Sequence, residues 1–404
     1  MKFRKKLNVI RKSLSERKIL FVLWPRQVGK TTLLKNIFET LQTERKLFLN
    51  LEILDHHRYF QNFTEITMLL QTNKFQKWEP YYLFLDEFHK VKDIDWIIKS
   101  LYDEYENIRI VLSGSNNIEI NKNIKESFAG RKRVIPIFPL DFDEYIVWKE
   151  NIDISEVSWF RKNPLNNGKL NVYLEECIIW WGYPEVVLKE NPEEKKQVLS
   201  DIFSFWFNKD ILVEIKEKYK FNDFLKQLAF RDGNPLNFSE IASIIGVSQP
   251  TAEYYFHLMF QSLLVYPVRP FSRNKLKEII KMPKIYFGDI WFRNFLMGRF
   301  DFLNDEKWLL FENFIYSELL KSKRYYEDIK YWRTKNGSHE IDFILENESL
   351  ALEVKYKDIQ KKDDAKNSLS FRKDYPDMHF DIIEKTTFYN GDIFLSDLDT
   401  WPIL

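Results

Sequence analysis

The chain has 404 residues, 45% of them hydrophobic and 30% charged, with a net charge of +1. That length exceeds one ordinary core, so roughly two to four domains are expected. The near-zero net charge gives no global nucleic-acid footprint. A single cysteine, Cys177, excludes an internal disulfide framework and a cysteine-built zinc site. A cytoplasmic location is expected on that ground.

In chain order, residues 1–18 carry eight Lys/Arg against one acid, Glu16. Such a run suits a phosphate backbone or a solvated basic face. No apolar h-region with a small-residue cleavage site follows it, so no signal peptide is expected. No run of about 18 apolar residues occurs, so no membrane span is expected.

Residues 19–140 alternate between strand-like and helix-like segments. Strands are predicted at 19–24, 46–53, 81–88, 108–115 and 132–138, several as near-continuous apolar runs suited to a buried parallel sheet. Helices are predicted from Thr31 to Thr43, Trp96 to Tyr105 and Lys122 to Phe128. The pattern is a doubly wound α/β domain.

The first strand runs into "WPRQVGKTT". This matches the phosphate-loop pattern G-x-x-x-x-G-K-[ST] except that Trp24 stands at the first glycine position. Backbone N–H groups of Pro25-to-Thr32 loops converge on phosphate, helped by the following helix N-terminus. The nucleotide-binding set is therefore Pro25 (through its backbone position), Arg26, Gln27, Val28, Gly29, Lys30, Thr31 and Thr32. Gly29 allows close approach, Lys30 reaches the β- and γ-phosphates, and Thr31 holds Mg²⁺. Trp24 is expected to end the strand, with the phosphate nest starting after Pro25.

The strand "YYLFLDEF" ends in Asp86-Glu87, where α/β sheets keep their ligand crevice. Asp86 is the second metal-site residue, and Glu87 polarises the attacking water; the competing reading is a capped buried strand. In "IVLSGSNN", Ser113, Ser115 and Asn116 are candidates to orient that water, with Ser115 and Asn116 best fitting a strand tip. The competing reading is turn chemistry.

Residues 142–230 read as a helical lid, broken at "WWGYP" by Gly182 and Pro184. Residues 231–290 read as a winged helix-turn-helix: Ser239 as N-cap, an Ile241/Ile244/Ile245 stripe, a turn at Gly246, a second helix from Ser248, and a wing strand at "LLVYPVRP". That second helix lacks Lys and Arg in its first turns, while "SRNKLKEIIKMPK" after it carries five Lys/Arg against one acid. DNA contact and packing between domains are equally open. Residues 291–404 open with a helix and continue as strands at "IKYWRT", "HEIDFILE", "LALEVKYK", "MHFDIIEK" and "GDIFLS", with a helix near "AKNSLSFRKDY".

Taken together, "PRQVGKTTLL", "LFLDEF", "VLSGSNN" and "FAGRKRVIPIFPLDFDEYI" resemble the AAA+-type ATPases of archaea and bacteria that carry a restriction-endonuclease-like C-terminal domain. In that family "GR" and "PL-x-F-x-E" close the ATPase core; here these are Gly130-Arg131 and Pro139-Leu140 with Phe142 and Glu144. The resemblance implies a multidomain α/β protein with an AAA+-like core at 1–141, a lid at 142–230, a winged helix at 231–290 and a restriction-endonuclease-like domain at 291–404. It implies ATP and Mg²⁺ as cofactors, a homo-oligomer for which a hexamer is one arrangement, and DNA as partner. Arg131 is then a candidate finger toward a neighbouring subunit's γ-phosphate, with a structural salt bridge as the competing reading.

In the tail, Asp342 on one strand and Glu353 with Lys355 on the next form a nuclease-like carboxylate set, to which Glu312 on the preceding helix adds a third carboxylate. Cleavage of DNA and retention of the fold for DNA contact both remain open. The functional expectation is Mg²⁺-dependent ATP hydrolysis coupled to DNA binding or remodelling on junction or repair substrates. The alternatives are an ATP switch in signalling or defence and an ATP-dependent nuclease.

Overall fold

The structure, a computed structural model, describes residues 3–23, 28–114, 128–206, 215–274, 276, 278, 281–300, 306–322, 328–334, 337–356 and 364–390. Trp24, Pro25, Arg26, Gln27, Ser115 and Asn116 lie outside the described residues, as do most of the expected helix at 122–128 and the expected strand at "GDIFLS". The chain forms two compact units. The first is Met1–Leu140 with Tyr183–Leu188, and the second is Asp141–Gly182 with Lys189–Leu404.

The first unit is built on five strands: β1 (Ile19–Leu23), β2 (Lys46–Asn50), β3 (Tyr81–Asp86), β4 (Ile108–Gly114) and β5 (Lys132–Pro136). They form one parallel sheet in the order β2-β3-β4-β1-β5. The central strands β1, β3 and β4 are the apolar runs, and almost every residue in them is buried, as a strand covered on both faces requires. From β1 the chain passes over β4 and β3 to reach β2, whereas from β4 it returns past β1 to β5. This reversal at β1/β4 makes the crevice at the carboxyl ends of those strands the natural ligand position.

Helices α1 (Lys5–Ser13), α2 (Lys30–Thr40), α3 (Phe63–Thr72) and α4 (Ile94–Glu104) flank these strands in sequence. Helix α2 ends where Lys46 donates to the Phe38 and Leu41 carbonyls at 2.6 and 2.8 Å, satisfying orphan acceptors of its last turn. In the core, Phe21 of β1 meets Phe88 and Phe128 edge-to-face, with ring centroids 5.8 and 5.3 Å apart. Those contacts anchor the chain just beyond Asp86-Glu87.

The second unit begins with α5 (Phe142–Glu150), α6 (Ile154–Lys162) and α7 (Asn167–Trp180). Glu144 and Asp141 form a capping box at the start of α5, with Glu144 N–H donating to Asp141 at 2.9 Å. Helix α8 (Pro184–Val187) belongs to the first unit, and Pro184 sits at its first position as the "WWGYP" break implies. Then come α9 (Pro192–Trp206), α10 (Lys218–Phe230), α11 (Phe238–Ile245) and α12 (Gln249–Gln261).

The N-cap of α11 is Asn237 rather than Ser239: its side chain accepts from the N–H of Ser239 and Glu240. With the helix starting earlier, the buried stripe is Ile241, Ala242 and Ile245, and Ile244 is 55% exposed. Gly246 makes the turn at φ +68°, and Ser248 caps α12.

Strands β6 (Val265–Pro270) and β7 (Lys284–Phe287) pair antiparallel, as a wing would. They do not stop there. Arg269 and Pro270 pair in parallel with Lys330 and Tyr331 of β8 (Ile329–Arg333), which continues into β9 (Glu340–Leu345), β10 (Leu350–Lys355) and β11 (His379–Glu384). The result is one six-stranded sheet, β11-β10-β9-β8-β6-β7, that crosses the boundary expected at 290. An isolated hairpin is marginal in water and leaves open edges; joining β8 covers one of them. Helices α13 (Ile290–Met297), α14 (Lys307–Ser322), α15 (Asp364–Asp374) and α16 (Lys385–Asn390) complete the unit. Helix α14 is buried on every face from Leu310 to Lys321, which marks it as the unit's central helix.

Where α14, α13 and β7 meet, Asp232 is fully buried and accepts from Asn313 Nδ2 at 2.5 and 2.7 Å and from Phe287 N–H at 3.3 Å. Burial pushes its pKa up to about 7, against the pull of Arg293, Asn313 and the Phe287 amide. The unfolded chain releases that proton near pH ~4, so native stability falls as pH rises between about 4 and about 7. The melting temperature of the wild type relative to Asp232→Asn should drop across that window; a relative rise would contradict the assignment.

Candidate functional site

The first cluster lies at the carboxyl ends of β1, β3 and β4. Gly29 stands at the N-cap of α2 with φ +85° and ψ 24°, a left-handed conformation that favours glycine. A Cβ placed there would meet no atom within 4 Å, so the space beside the backbone is open to an approaching group. The Leu33 amide donates to Gly29 O at 2.9 Å, the first helical bond. The amides of Lys30, Thr31 and Thr32 lie in the first turn, whose N–H groups have no acceptor within the helix itself. The Lys30 side chain is buried.

Thr31 Oγ1 donates to Asp86 Oδ2 at 2.7 Å, joining two motifs that lie 55 residues apart. Asp86 is 1% exposed, and its other oxygen accepts from Ser113 Oγ of the adjacent strand β4. A buried carboxylate held this way is fixed in rotamer and keeps hard oxygen ligands together. A hydroxyl and a carboxylate side by side suit Mg²⁺, which takes one or two protein oxygens and completes its shell with water and phosphate. Ser113 therefore enters the site, although the strand-tip argument favoured Ser115 and Asn116.

Glu87 follows Asp86 with φ +53° and ψ 42°. Left-handed backbone at a non-glycine residue costs about 1–2 kcal/mol and turns the side chain off the strand's alternation. Glu87 thus leaves the strand at the start of a 3₁₀ turn, Phe88–Lys90, that Phe21 pins from below. His89 Nδ1 lies 3.6 Å from Glu87 Oε2.

Arg4 is a component that the sequence pattern did not reveal. It is 4% exposed and donates from Nη1 to Val28 O at 2.9 Å and from Nη2 to Phe138 O at 2.5 Å. Counted in sequence as part of a basic run, it instead braces the loop residue preceding Gly29. A period-based reading has no signal for this, because the pairing spans 134 residues.

Arg131 is held by Asp103 through Nε at 2.8 Å and Nη2 at 3.2 Å, on a part-exposed surface. Donating to the Asp103 carboxylate raises the Arg131 pKa above its ordinary value. Within the single chain this is the salt-bridge arrangement.

The second cluster lies in the second unit, among α14, β7, β9 and β10. Glu312, Asp342 and Glu353 converge closely enough for Glu312 and Glu353 to disfavour the Asp342 charge. Each has an oxygen engaged by the protein. Tyr286 donates to Glu312 Oε1 at 2.5 Å, Val354 N–H to Asp342 Oδ2 at 2.8 Å, and Lys355 to Glu353 Oε1 at 2.6 Å. Asn367 also donates to Glu353 Oε1, at 3.2 Å. Among the described residues, no group of three or more His, Cys, Asp or Glu could hold a metal ion. The expected nuclease-like set therefore lies together in the second unit, with one oxygen of each carboxylate already engaged by the protein.

Residues 16–146 match the family model of an AAA domain. Residues 171–302 and 309–401 match two domains of unknown function, DUF8612 and DUF4143. The AAA match covers the five-stranded sheet with Gly29, Lys30, Thr31, Asp86 and Glu87, and supports an AAA-type P-loop fold for that part of the chain. An uncharacterized protein of Methanocaldococcus jannaschii, MJ1544, is 24% identical over 324 residues, covering 77% of this chain and 69% of the relative. An uncharacterized protein of Haemophilus influenzae is 24% identical over 366 residues, 87% of this chain and 85% of its own length.

Among solved structures, C. elegans PCH-2 aligns at a TM-score of 0.32 and 10% identity, over 49% of this chain and 60% of PCH-2. AMPPCP-bound DnaA from Aquifex aeolicus aligns at 0.28 and 15%, over 63% and 86%. Likeness this slight carries no inference about function. Among the described residues no helix is long and apolar enough to cross a membrane.

Proposed function

We propose that this chain binds ATP with Mg²⁺ and hydrolyses it at the β1/β3/β4 crevice. The observation that carries the proposal is the 2.7 Å contact between Thr31 Oγ1 and Asp86 Oδ2 beside the left-handed Gly29. In this reading the backbone N–H groups between Pro25 and Thr32 would cradle the phosphates, and Lys30 supplies the positive charge at the β- and γ-phosphates. Thr31 and Asp86 hold Mg²⁺, which when bound neutralises charge on the phosphate oxygens. Glu87 takes the proton of the attacking water, and Ser113 keeps Asp86 oriented. Ser115 and Asn116 stay proposed as water-orienting residues at the tip that follows β4.

Turnover is proposed to be coupled to DNA through α11, α12 and the β6–β7 strands, whose helix-turn-helix order supports a nucleic-acid module. A second reading, an ATP switch acting on protein partners, is favoured by one observation. Helix α12 carries no Lys or Arg and presents Glu253 and Tyr254 to solvent. The test is phosphate release from ATP by the full chain, alone and with branched DNA. Stimulation by DNA supports the first reading. Turnover indifferent to DNA supports the second, and no turnover under either condition defeats both.

Self-assembly is proposed on the Arg131 reading: in a homo-oligomer, a hexamer included, Arg131 would leave Asp103 and reach a neighbour's γ-phosphate. Mixed assemblies of wild type with Arg131→Ala should then lose more activity than dilution explains. Activity that simply tracks the wild-type fraction would leave Arg131 as the partner of Asp103 alone.

A further inference from the structure

The carboxylates of the second unit surround a charge that belongs to the chain itself. Lys284, on β7, is 4% exposed. Its ammonium forms an ion pair with Glu340 and lies 3.7 Å from Glu312 Oε1. The ring centroid of Tyr331 is 5.4 Å from Nζ and that of Tyr286 is 6.0 Å, so aromatic faces close the remaining sides. Arg333 lies 3.3 Å from Glu340 Oε2, and Lys355 takes Glu353 at 2.6 Å.

We propose that Lys284 is the resident cation of this cluster, so that Glu312, Asp342 and Glu353 are closed to a divalent metal and act as an ion-paired hub joining β7 to α14, β9 and β10. The donor chemistry supports this. A divalent ion held by even one or two carboxylates needs oxygens that face it rather than a fixed ammonium, but here Glu312 Oε1 is drawn to Lys284 and Tyr286, and Glu353 Oε1 to Lys355 and Asn367. A buried ammonium is tolerated only with paired, hydrogen-bonded counter-charges. Burial opposes the charge on Lys284, but Glu312, Glu340 and Asp342 outweigh it and hold the pKa above the ordinary lysine value. The proposal is independent of the ATP site and stands or falls separately from it.

The test uses the full chain without nucleotide, Mn²⁺ as the probe, and calorimetry with thermal melting as readouts. Wild type should show no Mn²⁺ binding that Asp342→Asn removes. Lys284→Met should melt lower by on the order of 5–10 °C without metal, since it leaves buried carboxylates unpaired. Mn²⁺ should recover part of that loss, and the recovery should vanish in the double variant Lys284→Met, Asp342→Asn. Lys284→Arg, which keeps the charge, should melt closer to wild type. Should Lys284→Met fail to fold, the wild-type titration and Lys284→Arg still decide. Wild-type Mn²⁺ binding that depends on Asp342, or a Lys284→Met melting point equal to wild type, would overturn the proposal.

Discussion

Glu87→Gln is expected to bind ATP as wild type does and to hydrolyse it about 100- to 10,000-fold more slowly, the usual span for loss of a general base. Glutamine keeps the side chain's shape and the turn beyond it but cannot take a proton. The prediction is sharp because the hydroxyls of Thr31 and Ser113 both go to Asp86, which the substitution leaves in place. Binding and chemistry should therefore separate. The left-handed backbone of Glu87 is kept by the turn and by Phe88 packed against Phe21, so the substitution leaves that frame in place. Equilibrium nucleotide binding and single-turnover phosphate release measure the two halves. Unchanged turnover would remove Glu87 from the role of water-activating residue.

Lys30→Ala is expected to fail earlier, at binding. Losing a charged contact to phosphate costs about 2–5 kcal/mol, which is roughly 30- to several-thousand-fold in Kd. The lysine stem is also buried, so its truncation removes packing at the first turn of α2. A melting-temperature comparison without nucleotide separates that packing loss from the loss of phosphate contact. A Kd for ATP within threefold or so of wild type would show that Lys30 does not face the phosphates.

The two variants probe a site whose parts differed in how legible they were. Lys30, Thr31, Asp86 and Glu87 stood out because phosphate chemistry confines them to short, fixed spacings at strand ends. The sheet was legible because strands buried on both faces must be apolar throughout, and β1, β3 and β4 are. Arg4 was not legible in the same way, and Ser113 was legible only as one of three candidates in "IVLSGSNN". Arg4 acts through two backbone carbonyls far along the chain, and no residue type at those carbonyls advertises it. Ser113 lies two positions before the residue that a strand tip would present, and its hydrogen bond to Asp86 across adjacent strands gives it a place there.

In the second unit the turn at Gly246 between two helices was readable from the glycine and from Ser248 as a cap. The cap was misplaced by two residues because Asn237 and Ser239 are both competent N-caps. The junction of β6 with β8 was invisible, since a two-residue parallel pairing has no local pattern. The carboxylate set shows a related limit. Asp342, Glu353 and Lys355 have the right types and alternation, but that pattern gave no sign of Lys284, 58 positions before Asp342 in the numbering and ion-paired to Glu312 and Glu340. Charge balance inside a core is a three-dimensional sum, and strand alternation constrains only one of its axes.

The central claim is nucleotide hydrolysis at the Thr31–Asp86 pair, and phosphate release from ATP by the purified full chain, with Mg²⁺ and with Mg²⁺ chelated, tests it most directly. The account predicts release that requires the metal and is lost in Lys30→Ala. Absence of both ATP binding and Mg²⁺-dependent release in folded wild-type protein would contradict it.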